Sequence, residues 1–125
     1  MKKEVENKTV KSFEDLMVWK ASMNLAVNVY EILNCCNDYG LKDQMQRAAV
    51  SIPSNIAEGF ERMSDKEFVH FLYIAKGSCA ELRTQLYLSI KLNYLLKKEG
   101  VEVIKKTEEI SKMLYKLILY RKTKE

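Results

Sequence analysis

The 125-residue chain contains one proline, four glycines and one histidine. So little turn-forming material argues against a β protein, whose many tight turns draw on glycine and proline. The glycines stand singly at 40, 59, 77 and 100, so there is no glycine-rich phosphate loop. No apolar run approaches the roughly 18 residues that a membrane helix requires. The opening MKKEVENKTV is polar and lacks the apolar core of a secretion signal. Cys35, Cys36 and Cys79 are odd in number and form no C-x-x-C pair. Adjacent cysteines rarely bridge each other, so free thiols in a reducing compartment are expected. These absences together predict a cytoplasmic chain.

What is present suits a helical domain. Hydrophobic residues make up 47% of the chain and charged residues 30%, which separates it from disordered sequences. Lys and Arg number 21 against 17 Asp and Glu, a formal charge of +4. That balance permits a polyanionic partner without requiring one. The apolar spacing predicts helices over Phe13–Asn34, Leu41–Arg62, Ser64–Tyr94 and Val101–Arg121. Residues 1–12 read as a polar N-terminal tail and 122–125 as a basic end. Asn37, Asp38 and Gly40 supply the first turn, Ser64 with Glu67 reads as a capping box, and KKEG reads as the last turn. Long helices on short connections favour antiparallel neighbours, so residues 13–121 are expected to form an all-α, up-down-up-down four-helix bundle.

The first helix carries two apolar stripes. Leu16, Met23, Ala26, Val27, Tyr30 and Leu33 form one, read as the core face. Val18, Leu25, Val29 and Ile32 form a second that points away from it. A helix apolar on two sides is deeply buried or shared, so the second stripe is read as the interface of a homo-oligomer.

The second helix holds the proline. Beside the apolar line Met45, Ala49, Ile52, Ile56, Phe60 and Met63 runs a polar one: Gln44, Arg47, Ser51, Asn55, Glu58 and Arg62. Pro53 lacks a backbone donor and crowds the carbonyl of Ala49, so a kink is expected, with Ser51 and Ser54 bonding to the loosened turn. On the third helix Ser78, Glu81, Gln85 and Ser89 form a matching polar line. Gly77 is unfavourable inside a helix and is expected where backbones approach, against Ala57 or Gly59. If the lines meet, Glu58 and Glu81 need partners, of which Arg47, Asn55 and Gln85 are available. The residues alone leave open whether this motif binds a ligand or only fixes the bundle.

Little points to catalysis. Glu67 to His70 spells the Glu-x-x-His of carboxylate-bridged di-iron bundles, but those sites need a second copy and this chain has one histidine. Neither a metal nor another cofactor is expected, and no reaction. Lysines gather late in the sequence, at 97, 98, 105, 106, 112, 116, 122 and 124. Arg47, Arg62, Lys105, Lys112, Lys116 and Arg121 are the candidate phosphate contacts, with Tyr94, Tyr115 and Tyr120 able to stack on unpaired bases. Glu99, Glu102, Glu108 and Glu109 offset many of them, as on an ordinary solvated face.

The runs QMQRAAVSIPSNIAEGFER and FLYIAKGSCAELRTQL, with FEDLMVWKASMNLAVNVYEI and YGLKDQM, closely resemble the proteins encoded in intervening sequences of bacterial 23S ribosomal RNA genes. These are related to the accessory protein of diversity-generating retroelements. The likeness covers roughly Phe13 to Leu95, and Ser51-Ile52-Pro53-Ser54-Asn55-Ile56-Ala57-Glu58-Gly59 is its most specific part. It implies an up-down bundle assembled as a pentamer. It also implies association with structured RNA or a nucleic-acid and protein assembly, without catalysis. Carried over by position, the family's polar motif falls on Gln44, Arg47, Ser51, Asn55, Glu58, Gly77, Ser78 and Glu81.

Overall fold

A computed structural model describes residues 9–124. A short 3-10 turn, Phe13–Asp15, precedes four helices: α1 (Met17–Ile32), α2 (Tyr39–Phe60), α3 (Asp65–Lys91) and α4 (Lys97–Lys124). Most of the expected tail, residues 1–8, lies outside the described residues, as does Glu125. The expected first helix is divided. Asp15 accepts from the backbone N–H of Lys11 (2.9 Å) and Ser12 (3.2 Å), which pins the turn, and Leu16 is extended before α1 begins.

Side chains set the remaining boundaries. Asp38 caps α2, its Oδ1 accepting from the N–H of Leu41 at 3.1 Å. Gly40 therefore lies inside the first turn of α2 and not in the connection. Ser64 caps α3 as expected, accepting from the N–H of Glu67 at 3.2 Å. The end of α3 falls before KKEG. Asn93 adopts φ 63°, the N–H of Tyr94 bonds the Ser89 carbonyl, and that of Asn93 bonds the Ile90 carbonyl. This is a Schellman closure with asparagine in the left-handed position glycine usually takes. Lys97–Gly100 then form the first turn of α4, which continues to Lys124, through most of the expected basic end.

The bundle is antiparallel throughout. α3 packs against α2 and α4, and α1 packs against the same two helices from the other side, so α1 and α3 lie on the diagonal. Leu25, Leu33, Met45, Ile52, Ile56, Leu72, Leu82, Leu86, Leu114 and Ile118 fill the centre. The two stripes of α1 do not divide as expected: Leu16, Ala26 and Leu33 of the first are buried as read, but so is most of the second. Val18, Leu25 and Val29 are 2%, 1% and 0% exposed, so they belong to the chain's own core and not to an oligomer interface. Ile32 is partly buried against that core. Met23, Val27 and Tyr30, read as core, are 40%, 55% and 48% exposed. The reason is Ser22. Its hydroxyl donates to the Trp19 carbonyl at 2.8 Å, so a satisfied polar residue joins Val18, Leu25, Ala26 and Val29 on the buried face. A satisfied hydroxyl can be buried, so the inward face of α1 lies between the two apolar stripes and not on either alone.

The glycines also differ from expectation. Gly77 faces open space, with nothing within 4 Å of where a Cβ would stand. Gly59 is the close contact: a Cβ there would lie 2.5 Å from the Phe71 Cβ and 3.0 Å from Phe68 Cδ1. Gly59→Ala is expected to lower stability by about 1–3 kcal/mol through overpacking. Gly77→Ala should raise it by about 0.5–1 kcal/mol by removing a flexible helix position. Urea unfolding of the two variants checks both signs.

Candidate nucleic-acid interface

Antiparallel packing of α3 on α4 builds a basic groove. Lys76 and Arg83 are seven residues apart and share one face of α3. Across from them α4 presents Glu108, Ser111, Lys112, Tyr115 and Lys116. The register sets Lys76 beside Tyr115, with its Nζ 5.9 Å from the ring centre, and Arg83 on the same groove as Glu108. The groove is open and encloses about 790 Å³. Four cations face one carboxylate, and among the described residues none of the four takes part in an ion pair. Buried Cys79 lies on the same helix, where desolvation pushes its thiol up to about 11 against the opposing pull of Arg83 and Lys76. It is a neutral packing residue at pH 7.

Of the six expected phosphate contacts, the groove gathers Lys112 and Lys116. Lys105 is exposed on α4 but outside the lining. The three arginines are engaged by carboxylates. Arg47 Nε donates to Asp43 at 2.8 Å, a bond that raises the guanidinium pKa. Arg62 pairs with Glu58 at 2.9 Å and Glu67 at 3.7 Å, and stacks over Phe71 at 4.7 Å. Arg121, whose side chain is only 12% exposed, donates to Asp65 at 2.7 Å and covers the Phe68 ring. It joins the end of α4 to the start of α3 and is a structural residue. Lys76 and Arg83 were not singled out from the sequence, where they stand far from the late run of lysines. The signal lay in the antiparallel register, which brings 76 to 115 and 83 to 108.

The polar motif divides. Ser51 and Ser78 share a hydrogen bond of 2.9 Å between hydroxyls, and Asn55 Nδ2 donates to the Ser51 carbonyl (2.8 Å) and hydroxyl (2.9 Å). Ser89 donates to the Met45 sulfur at 3.2 Å, while the buried Gln85 Oε1 has no hydrogen-bond partner among the described residues. Glu58 and Glu81 do not enter this seam: both are exposed, as are Gln44 and Gly77. Ser51 bonds across to α3 and not back to the turn that Pro53 loosens. α2 continues through Pro53 without a break. The buried proline faces α1, where Trp19, Met23, Val27, Tyr30, Val50 and Pro53 line a second, apolar groove of about 530 Å³. His70 is exposed with its ring against Phe71, and among the described residues no group of three or more His, Cys, Asp or Glu is placed to hold a metal. The three cysteines are free thiols, and no helix of the described residues is long and apolar enough to cross a membrane.

Fold and surface together define a four-helix-bundle protein that carries a basic groove and an apolar groove. The 23S rRNA-intervening sequence protein family model matches residues 14–116, and the chain belongs to that family. A crystal structure of a protein of unknown function from the S23 ribosomal protein family of Bacteroides thetaiotaomicron superposes with a TM-score of 0.77. It is 27% identical, and the match covers 82% of this chain and 98% of that one. No curated protein matches significantly.

The seam hydrogen bonds generate a specific expectation. Asn55→Ala removes two of them and should lower stability by about 1–2 kcal/mol, measured by thermal unfolding. Because Asn55 lies outside the basic groove, affinity for any ligand of that groove should not change.

Proposed function

We propose that this chain is a non-enzymatic, cytoplasmic, homo-oligomeric module that binds RNA, holding phosphates with Lys76, Arg83, Lys112 and Lys116. One observation carries the reading: these four cations share a groove and, among the described residues, none is paired with a carboxylate. Most other arrangements of surface lysine and arginine are solvated faces, which the ion-paired Arg47 and Arg62 exemplify. The family's description, which refers to intervening sequences of 23S rRNA, supports RNA as the polyanion. The test is fluorescence anisotropy with a labelled RNA fragment containing a stem and a loop. Lys112→Glu with Lys116→Glu should abolish micromolar binding and flatten its salt dependence by about one log unit of slope per lost phosphate contact. Arg47→Glu should leave both nearly unchanged. RNA that fails to bind even at low salt overturns the reading.

Self-association is assigned to the apolar groove between α1 and α2. Met23, Val27, Tyr30 and Val50 are exposed there beside Trp19, an excess of apolar surface for a monomer. The pentameric ring that the family resemblance implies would repeat the basic groove around the assembly, so a modest charge per subunit would sum. Val27→Glu should convert the assembly to monomer, read by light scattering after size exclusion, with helicity retained. The same groove favours a second reading, a protein-interaction module without nucleic-acid binding, and the RNA titration decides between them.

A further inference from the structure

We infer that the α3–α4 groove takes an unpaired polynucleotide strand and discriminates against duplex, with a base stacked on Tyr115. The inference rests on the RNA-binding reading above and adds the strand class. Neighbouring packed helices have axes about 8–10 Å apart. Helices at that separation interdigitate, so the groove is an open furrow of about 790 Å³ along their seam. A flexible single strand can follow it with its phosphates and turn a base onto Tyr115, whereas a duplex keeps its bases stacked inside.

The charge layout is also that of a single-strand channel. Lys76 and Lys116 flank Tyr115, with Lys112 beside them, and Arg83 lies about 10 Å further along α3, given the helical rise of 1.5 Å per residue. Cations thus occur on both banks and follow the length of the cleft, as a backbone-tracking groove requires. Tyr115 is 48% exposed, so its ring is accessible to a base. Aromatic rings on such a path bind bases by their faces, which a duplex keeps inside its stack. Glu108 is the one repulsive group, and it makes no ion pair with Arg83. The strand therefore seats towards the Lys76, Lys112 and Lys116 end. Phosphate and base faces are common to RNA and DNA, so the recognised chemistry is the unpaired strand and not the sugar.

The experiment compares a labelled 12-nucleotide single strand, as RNA and as DNA, with the blunt duplexes of the same sequence, on the intact protein at one moderate salt concentration. Single strands should bind at least tenfold more tightly than duplexes. Tyr115→Leu should weaken single-strand binding by about tenfold and leave duplex binding unchanged, while Tyr115→Phe retains wild-type affinity because it keeps the ring. Glu108→Gln should strengthen single-strand binding, which gives a gain that misfolding cannot mimic. Equal affinity for duplex and single strand, or a folded Tyr115→Leu protein that binds single strands undiminished, overturns the inference. If such binding still disappears in the Lys112→Glu, Lys116→Glu protein, the groove remains the RNA site and only its strand preference is refuted. If no nucleic acid binds at all, the RNA-binding reading itself is refuted.

Discussion

Where α2 meets α3, Gly59 leaves room for Phe71 and Phe68, and further along the same seam the hydroxyls of Ser51 and Ser78 share a hydrogen bond. The two contacts lie near different levels of the bundle, so together they fix both the spacing and the register of the pair. A sliding error of one turn would bring side chains against Gly59's neighbours and strand a buried hydroxyl, each unfavourable by more than ordinary apolar mismatch. Register at this seam propagates. It determines which residues α3 turns towards α4, and therefore that Lys76 and Arg83 line a groove with Lys112 and Lys116. The electrostatic surface of one side is set by packing on the other.

Charge is distributed unequally over that framework. The arginines at 47, 62 and 121 have carboxylates within reach, and Arg62 and Arg121 also cover phenylalanine rings at the α2–α3 end of the bundle. Arginine suits this work, since its planar group bonds a carboxylate and stacks on a ring at once. Three of the four groove cations are lysines, compact charges on flexible stems that tolerate varied phosphate positions. Residue choice therefore separates cations that hold the bundle from cations left to solvent and ligand. Within the groove four cations face one carboxylate, a local excess that the formal +4 of the whole chain does not reveal.

The bundle and its number of helices were legible in the sequence because periodicity survives over 16 to 28 residues. The Ser64 cap was legible because its partner is three residues away. Features that depend on the neighbouring helix were not. The inward face of α1 was misread because Ser22 looks polar in a sequence yet is satisfied by its own helix. Gly100 was read as a turn, although it is helical and lies where a Cβ would stand 2.5 Å from Ile90 Cδ1. The left-handed Asn93, which ends α3, carried no glycine to mark it. The polar residues of α2 and α3 were expected to meet as two facing lines, but Ser51, Asn55 and Ser78 do so while Gln44, Glu58 and Glu81, at the same helical spacing, are exposed. Half of the basic groove was missed for a similar reason: Lys76 and Arg83 acquire meaning only opposite α4.

The SIPSNIAEG run is best understood as a segment that serves two interfaces at once. Ser51 and Asn55, four residues apart, lie on the side towards α3 and complete the hydrogen-bonded seam. Pro53 and Ala57, also four apart, lie on the side towards α1 and line the apolar groove. Gly59 adds the close approach at the end of the run. A proline inside a helix is unfavourable by about 3 kcal/mol relative to alanine, and here its ring is buried at the wall of that groove. The two alternating sets explain why such different residue types sit side by side. A substitution on one set acts on bundle register, and one on the other acts on the apolar groove between α1 and α2. The basic groove touches neither set directly, so the motif bears on it only through the register that α3 carries across the bundle.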